Sequence, residues 1–358
     1  MTLHSPAQRS ELFCKRLALR YPVLLGPMAG VPAPALSIAV AQAGGLGACG
    51  ALLMEPDAIH QWAATVRSHT TGPFQLNLWI PDPPPCRDPT HESQWRQWLS
   101  AWGPAVSLDA GDATPPNFES QCEALLAVKP AVVSSVMGLF PAFFVQRLKA
   151  AGIHWFANVS TVAEARAAQA AGADVIVAQG MEAGGHRACF DAARAEAQQV
   201  GLMALVPAVV DAVDLPVVAT GGIADARGVA AAFALGASAV QIGTGFLRTP
   251  EAGLPSSWAD ALSKTWPEDT QLTRAFSGRA GRSLSTEYVR AASARDALLA
   301  APYPVQRGLT HVMRLQAVRH NDLRAMQAWA GQSARLALAL PAAEVFARLC
   351  QGLPQQTN

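Results

Sequence analysis

No uninterrupted apolar run in this chain approaches the roughly 18–20 residues that a bilayer-spanning helix needs, although the hydrophobic share is 51%. A membrane span is therefore not expected, and the apolar residues are assigned to a buried core. The first residues also lack the long apolar centre of a secretory signal: Arg9, Glu11, Lys15, Arg16 and Arg20 are interspersed with short apolar pieces. Charge is scarce. Charged residues make up 15%, the formal net charge is +1, and there is no long basic or acidic block. This argues against nucleic acid as the main partner, because neutralising phosphates takes clustered Lys and Arg. The six cysteines, Cys14, Cys49, Cys86, Cys122, Cys189 and Cys350, are dispersed and form no Cys-x-x-Cys pair. Neither a zinc knot nor a disulfide framework is expected, and a reducing cytoplasm fits best.

Short apolar runs followed by helical patterns are abundant. Strands are expected at Tyr21–Leu25, Leu46–Leu52, Phe74–Ile80, Ala131–Val136, Ile153–Val159, Val175–Ala178, Leu215–Ala219 and Ala239–Thr244. Helices are expected between them. One runs from Ala35 to Ala43, opened by Pro32 and Pro34, and another from Glu92 to Trp102, inside a long connection that begins with the proline-rich Pro81–Pro85. Ala171-Gly172-Ala173 and Leu235-Gly236-Ala237 look like helix C-caps feeding the next strand. About eight β-then-α units close a parallel barrel. The expected fold class is α/β: a TIM (β/α)8 barrel over 1–248, with a smaller helical insertion after the last barrel strand over 249–324. The segment 325–358 is expected to return as helices packed on the barrel. No clear strands are read after Arg248.

The stretch from Gln179 to Arg187, Gln-Gly-Met-Glu-Ala-Gly-Gly-His-Arg, leaves a buried strand. Gly180, Gly184 and Gly185 allow positive φ or close approach to a flat ligand. His186 stands at the carboxyl end of a strand, where α/β proteins usually place chemistry. Gly221-Gly222 and Gly243-Thr244-Gly245 leave two adjacent strands. Their backbone N–H groups suit a phosphate, and two such exits together outweigh the alternative of tight packing turns. Pro27-Met28-Ala29 offers apolar surface and backbone amides. Asn77, among apolar neighbours, suits the edge of an isoalloxazine or is equally a core amide satisfied by backbone. His186 is read as facing a flavin, since an imidazole there takes a proton or holds developing negative charge. The other seven histidines, His4, His60, His69, His91, His154, His311 and His320, show no metal spacing. Glu182 is read as structural, paired with Arg187 or a helix N-terminus.

Four blocks together resemble the class I nitronate monooxygenases, formerly 2-nitropropane dioxygenases. They are Gly26-Pro27-Met28-Ala29-Gly30; Gln179 to Arg187; Gly221-Gly222-Ile223-Ala224 through Leu235-Gly236-Ala237 to Val240-Gln241-Ile242-Gly243-Thr244; and Phe276-Ser277-Gly278-Arg279-Ala280-Gly281-Arg282. Tyr303-Pro304-Val305-Gln306 and Trp329-Ala330-Gly331-Gln332 look like C-terminal pieces of the same family. The resemblance implies a TIM barrel holding FMN non-covalently, with a small helical domain over the site. It implies that Gly180, Gly184, Gly185, Gly221, Gly222, Gly243 and Thr244 meet the phosphate or ribityl. Met28 and Asn77 would lie near the ring, flanked by Pro27 and Ala29, and Gln179 and Gln241 join the cofactor contacts from the same blocks. His186 matches the family's active-site histidine and Tyr303 its site-lining tyrosine. Departures at Gly26, Ala188 and Ala280-Gly281 leave the implied FMN site intact and bear on the substrate.

The implied activity is oxidation of an alkyl nitronate by O2 to a carbonyl compound and nitrite, in a monomer or homodimer. The alternatives are an FMN-dependent NAD(P)H reductase of quinones or of an enoyl thioester, a non-catalytic flavin or phosphate-ligand binder, and a phosphosugar isomerase.

Overall fold

The computed structural model describes residues 5–31 and 33–355. Pro32, read above as opening a helix, lies outside the described residues, as do 1–4 and 356–358. The strands are β1 (Val23–Leu25), β2 (Gly47–Gly50), β3 (Phe74–Trp79), β4 (Val132–Val136), β5 (His154–Val159), β6 (Val175–Gln179), β7 (Gly185–His186), β8 (Val217–Thr220), β9 (Ala239–Ile242), β10 (Thr270–Thr273) and β11 (Gly281–Leu284). Eight of them form one parallel sheet in the order β1-β9-β8-β6-β5-β4-β3-β2. A parallel bridge between Leu24 and Leu46 joins its two edges, and Leu25 N–H donates to Leu46 O at 2.9 Å. With helices between the strands, this is the expected α/β TIM-barrel fold.

Local chemistry explains the alternation of elements. The strands are runs of Val, Ile, Leu and Ala buried on both faces, as parallel strands covered by helices are. Some of the helices between them start on side-chain caps. Thr161 accepts from Glu164 N at 3.2 Å and Asp225 from Gly228 N at 3.1 Å. Gly172 (φ 93°) and Gly236 (φ 107°) follow helix ends as the Ala-Gly-Ala and Leu-Gly-Ala junctions require.

The barrel interior changes character along its axis. Phe13 and Leu17 of the N-terminal helix Pro6–Leu17 pack with Leu24, Val132, Phe156, Val175, Val177, Val218 and Ala239. Phe13 and Phe156 lie 6.1 Å apart between ring centres, so the helix plugs the N-terminal end of the strands. Two or more residues further along the same strands, the residues of that parity are polar: Ser134, Asn158, Gln179, Thr220 and Gln241. Gln75 joins this layer from β3 and donates to Gln241 Oε1 at 3.1 Å. The C-terminal mouth is therefore polar above an apolar floor.

The structure corrects the reading of the chain in three places. Segment 249–324 was expected to be free of strands, yet it holds β10 and β11, which pair with each other and with β7 in a second, antiparallel sheet. Each is four residues or fewer, too short for a period of two to show in the sequence. Segment 325–358 was expected to return as several helices. Its one α-helix among the described residues is Ala342–Cys350; before it, the chain is irregular apart from a turn of 3-10 helix at Ala334–Leu336. Within the connection read as elongated up to Lys129, a further helix runs from Phe118 to Val128 and packs on the helix Pro56–His69.

Replacing Thr161 by Ala removes the cap of the helix Val162–Ala170. Urea unfolding should show a loss of about 1 kcal/mol with an unchanged slope; an unaltered midpoint would mean that the cap contributes nothing.

Candidate active site

His186 is positioned by backbone on both sides. It sits on β7, where His186 pairs with Gly281 and Gly185 with Arg282 of β11. Arg187 N–H donates to Ala280 O at 2.9 Å. Gln179, at the end of β6, staples the same turn. Its Nε2 donates to His186 O at 3.1 Å and its Oε1 accepts from Ala188 N at 2.9 Å. Gln179 was expected among the cofactor contacts, but its amide is used on backbone.

The imidazole has three kinds of neighbour. Its Nε2 lies 2.8 Å from Ser277 Oγ. Trp79 and Trp329 meet it edge-on, at 4.6 Å and 4.8 Å between ring centres. Arginines, with no carboxylate beside the ring, set its electrostatics. Burial lowers the pKa of His186 to about 3, and Arg279, Arg307 and Arg314 push in the same direction. The residue as a whole is half-buried, with its ring enclosed between Trp79 and Trp329. The imidazole is neutral at neutral pH.

Tyr303 stands on the other side of Trp79, 5.4 Å between ring centres. It is 9% exposed, and its hydroxyl is buried with no partner among the described residues. Burial raises its pKa to about 12, so it remains a donor at neutral pH. Arg307 acts electrostatically on both His186 and Tyr303 and forms no ion pair among the described residues. Arg314 bonds only neutral acceptors, Thr310 Oγ1, Gln327 Oε1 and Arg307 O, and burial pushes its pKa down to about 9. Arg279 is the exception. It pairs with Asp82 of the proline-rich loop, with Nε to Oδ2 at 2.8 Å, and so fastens that loop over the mouth.

The phosphate-type turns lie at the ends of β8 and β9. Gly221 (φ 109°) and Gly222 (φ 69°) use backbone conformations that side chains disfavour. The N–H groups of Gly221, Gly222 and Gly243 have no protein acceptor among the described residues. Thr244 Oγ1 accepts from Gly331 N at 3.0 Å, which leaves its own proton free. A Cβ on Gly184 would collide with Gly331 N, and one on Gly50 would lie 2.8 Å from Ala29 N. Gly180 is equally crowded, by Glu182 and Leu202, whereas Gly185 (φ 76°) faces open space. A Cβ on Gly243 would touch Met28 Sδ at 3.4 Å, which places the Pro27-Met28-Ala29 turn beside the glycine exits. Asn77 Nδ2 donates to Ser134 O and Oγ at 3.2 and 3.0 Å, leaving its Oδ1 without a donor among the described residues. Gln241 likewise keeps Nε2 without an acceptor among them.

Glu182 has the structural role expected of it. Its carboxylate takes the N–H of Leu202 at 2.8 and 3.1 Å, capping the helix Leu202–Val210. Arg187 turns instead to Gly180 O at 2.7 Å. Sequence reasoning missed Trp79, Ser277 and Arg307. Trp79 was legible as the third residue of the alternation Gln75, Asn77, Trp79. The other two carry no local signal. The 290 Å³ depression at Arg67, Thr70, Thr71 and Phe74 lies at the opposite end of β3, and the Arg67 guanidinium there already donates to the carbonyls of Val128 and Lys129.

Fold and mouth together are those of a barrel enzyme whose site lies at the carboxyl ends of its strands. The chain belongs to the nitronate monooxygenase family, whose model matches residues 10–352. A nitronate monooxygenase from Paraburkholderia phytofirmans is 37% identical, covering 95% of this chain and 94% of that protein. One from Pseudomonas aeruginosa is 36% identical, covering 96% and 99%. Among solved structures, a nitroalkane oxidase from Streptomyces ansochromogenes is similar with a TM-score of 0.86 at 34% identity, covering 95% of this chain and 97% of that one. FabK from Thermotoga maritima follows with 0.74 at 29% identity, covering 96% and 95%.

The His186 environment predicts a pH effect on stability. Its folded pKa lies below the unfolded value of 6.5, so the unfolded chain binds the extra proton. The contribution of the neutral ring is complete above pH 6.5 and is lost as pH falls toward 3. Unfolding midpoints of wild type and His186→Gln should therefore diverge with rising pH across that window; parallel profiles would refute it.

Proposed function

We propose that this protein is an FMN-dependent nitronate monooxygenase that oxidises an alkyl nitronate with O2 to a carbonyl compound and nitrite. One observation carries the reading: a neutral His186 and a Tyr303 hydroxyl share the Trp79 wall, in a mouth where, among the described residues, that hydroxyl has no partner and Arg307 has no anionic one. Such a mouth has an unmet need for a small anion carrying hydrogen-bond acceptors.

The residues present fit FMN. The free N–H groups of Gly221, Gly222 and Gly243 and the Thr244 hydroxyl are the donors a phosphate requires. Met28, Pro27 and Ala29, with Asn77 Oδ1 and Gln241 Nε2, are the groups that would meet the ring, and Gly180, Gly184 and Gly185 keep the backbone close enough to line it. When bound, FMN supplies the one-electron oxidation of the nitronate. Everything else falls to this chain. Arg307 and Arg314 make the mouth attractive to an anion. Tyr303 donates a hydrogen bond to a nitronate oxygen.

The role of His186 follows from Ser277. The Ser277 hydroxyl has one proton, donated to Arg279 O at 3.2 Å, while its oxygen also accepts from Arg279 N at 3.3 Å. With the Ser277 proton on Arg279 O, the tautomer we propose has Nε2 of His186 donating to Ser277 and Nδ1 keeping its lone pair. With a nitronate, which is already deprotonated, Nδ1 has no proton to take. With a neutral nitroalkane it is the base. The segment 249–324 acts as the cover that brings Ser277, Arg279 and Tyr303 to the barrel mouth.

The purified protein should show a flavin spectrum, and adding ethyl nitronate in air should give oxygen uptake and nitrite. A flavin spectrum bleached by NAD(P)H but inert to nitronates would move the function to the reductase alternative. His186→Ala should retain the flavin and lose roughly 100-fold or more of its turnover on neutral nitroethane, with a smaller loss on the preformed nitronate. Equal activity of variant and wild type on both substrates would remove the catalytic role of His186.

A further inference from the structure

The third residue of the β3 alternation has no part in the reading so far beyond serving as a wall. Gln75, Asn77 and Trp79 face the barrel axis in successive layers, each about 6.5 Å above the last at roughly 3.3 Å per residue. Their outward neighbour Phe74 instead packs edge-on against Trp62 of the helix Pro56–His69, 5.4 Å between ring centres. Gln75 is tied across the barrel to Gln241, and Asn77 is tied to Ser134. Trp79 is the uppermost of the three, at the mouth, between His186 and Tyr303.

The indole is fixed from behind. It packs on Val136, Met137 and Ala188, and Met137 holds a left-handed φ of 67° there. Its N–H has no acceptor among the described residues. Among the buried tryptophans, Trp95 donates to Leu299 O at 2.7 Å and Trp155 to Ser135 Oγ at 3.0 Å, while Trp258, like Trp79, has no acceptor among the described residues. A half-buried tryptophan with a free N–H, set between the two groups that would meet substrate, is suited to face a ligand.

We propose that Trp79 is the specificity-determining wall of the substrate site, admitting nitronates with small alkyl groups and disfavouring aryl ones. This rests on the nitronate reading above. The indole takes up the space beside His186 into which a larger substituent would extend. Packed on Val136, Met137 and Ala188, the bulky indole yields less to a substituent than an unbranched flexible side chain would.

The test compares wild type, Trp79→Phe and Trp79→Ala, each as isolated with its flavin content recorded. The ratio of kcat/KM for the nitronate of phenylnitromethane to that of nitroethane is measured in each. Calorimetric dissociation constants for propionate and phenylacetate, planar anions of matching size, supply a readout independent of turnover. Trp79→Ala should raise the phenyl-to-ethyl ratio about tenfold or more, the scale by which a hydrophobic pocket discriminates on size. It should shift binding toward phenylacetate by a similar factor, with Trp79→Phe moving both in the same direction by less. Unchanged ratios in both variants would overturn the proposal. If Trp79→Ala fails to fold, Trp79→Phe alone decides: a shift supports the wall and none refutes it. If the wild type turns over no nitronate, the functional reading falls, and the carboxylate ratio still decides whether Trp79 sets the size of the site.

Discussion

Two antiparallel residue pairs hold the functional end of this protein together, His186 with Gly281 and Gly185 with Arg282. Without them, the turn after β6 would be a loop with His186 at liberty. With them, the turn becomes an edge of the small sheet, and three distant parts of the chain meet. Ser283 of the same strand bridges to Trp329, which brings the second aromatic wall against the imidazole. Arg282 reaches back to Met181 O at 2.9 Å and ties down the start of the turn. The pairing also explains a glycine: a Cβ at Gly281 would lie 2.9 Å from the Trp329 ring. A side chain there would push apart the two elements that enclose His186.

The electrostatics follow from that enclosure. Ordinarily a buried cation is paired or costs heavily. Among the described residues Arg307 lacks an ion pair and Arg314 has only neutral partners, while Asp82, which acts on Tyr303, is taken by Arg279. Burial keeps both His186 neutral and Tyr303 protonated; the arginines add to its effect at His186 and oppose it at Tyr303. Such an arrangement is poor for the stability of the empty protein and favourable for a site that receives an anion. The Asp82–Arg279 pair has a second effect. Arg279 presents its backbone N–H and carbonyl to Ser277, so the fastening of the proline-rich loop and the orientation of His186 share one residue.

The legible parts of the fold were those whose signal is local. Val132–Val136 and Val175–Gln179 announce buried strands through their valines, isoleucine and alanine, and Gly172 and Gly236 mark helix ends through the conformations only glycine takes easily. Gly221 and Gly222 were readable as tight strand exits for the same reason, and the structure gives both of them positive φ. Tyr303 was reached only through resemblance, because a tyrosine before a proline has no distinctive local pattern. Gln179 was placed among cofactor contacts because it adjoins the glycines; its side chain turned to the backbone of its own loop. β10 and β11 escaped notice because four residues carry too little periodicity to separate strand from irregular chain.

By itself the sequence determined the barrel, its strand ends, the glycine turns there and the presence of one histidine among them, since each depends on residues within a turn or two of one another. Tertiary structure alone decided what surrounds that histidine. Ser277 is 91 positions away in the chain, and Arg279 is 197 positions from Asp82. Contacts at such separations arise from the closure of the barrel and the docking of the small sheet upon it. No local preference of Ser277, Arg307 or Trp329 encodes them, because nothing in the residues beside each in the chain specifies which distant group it will meet.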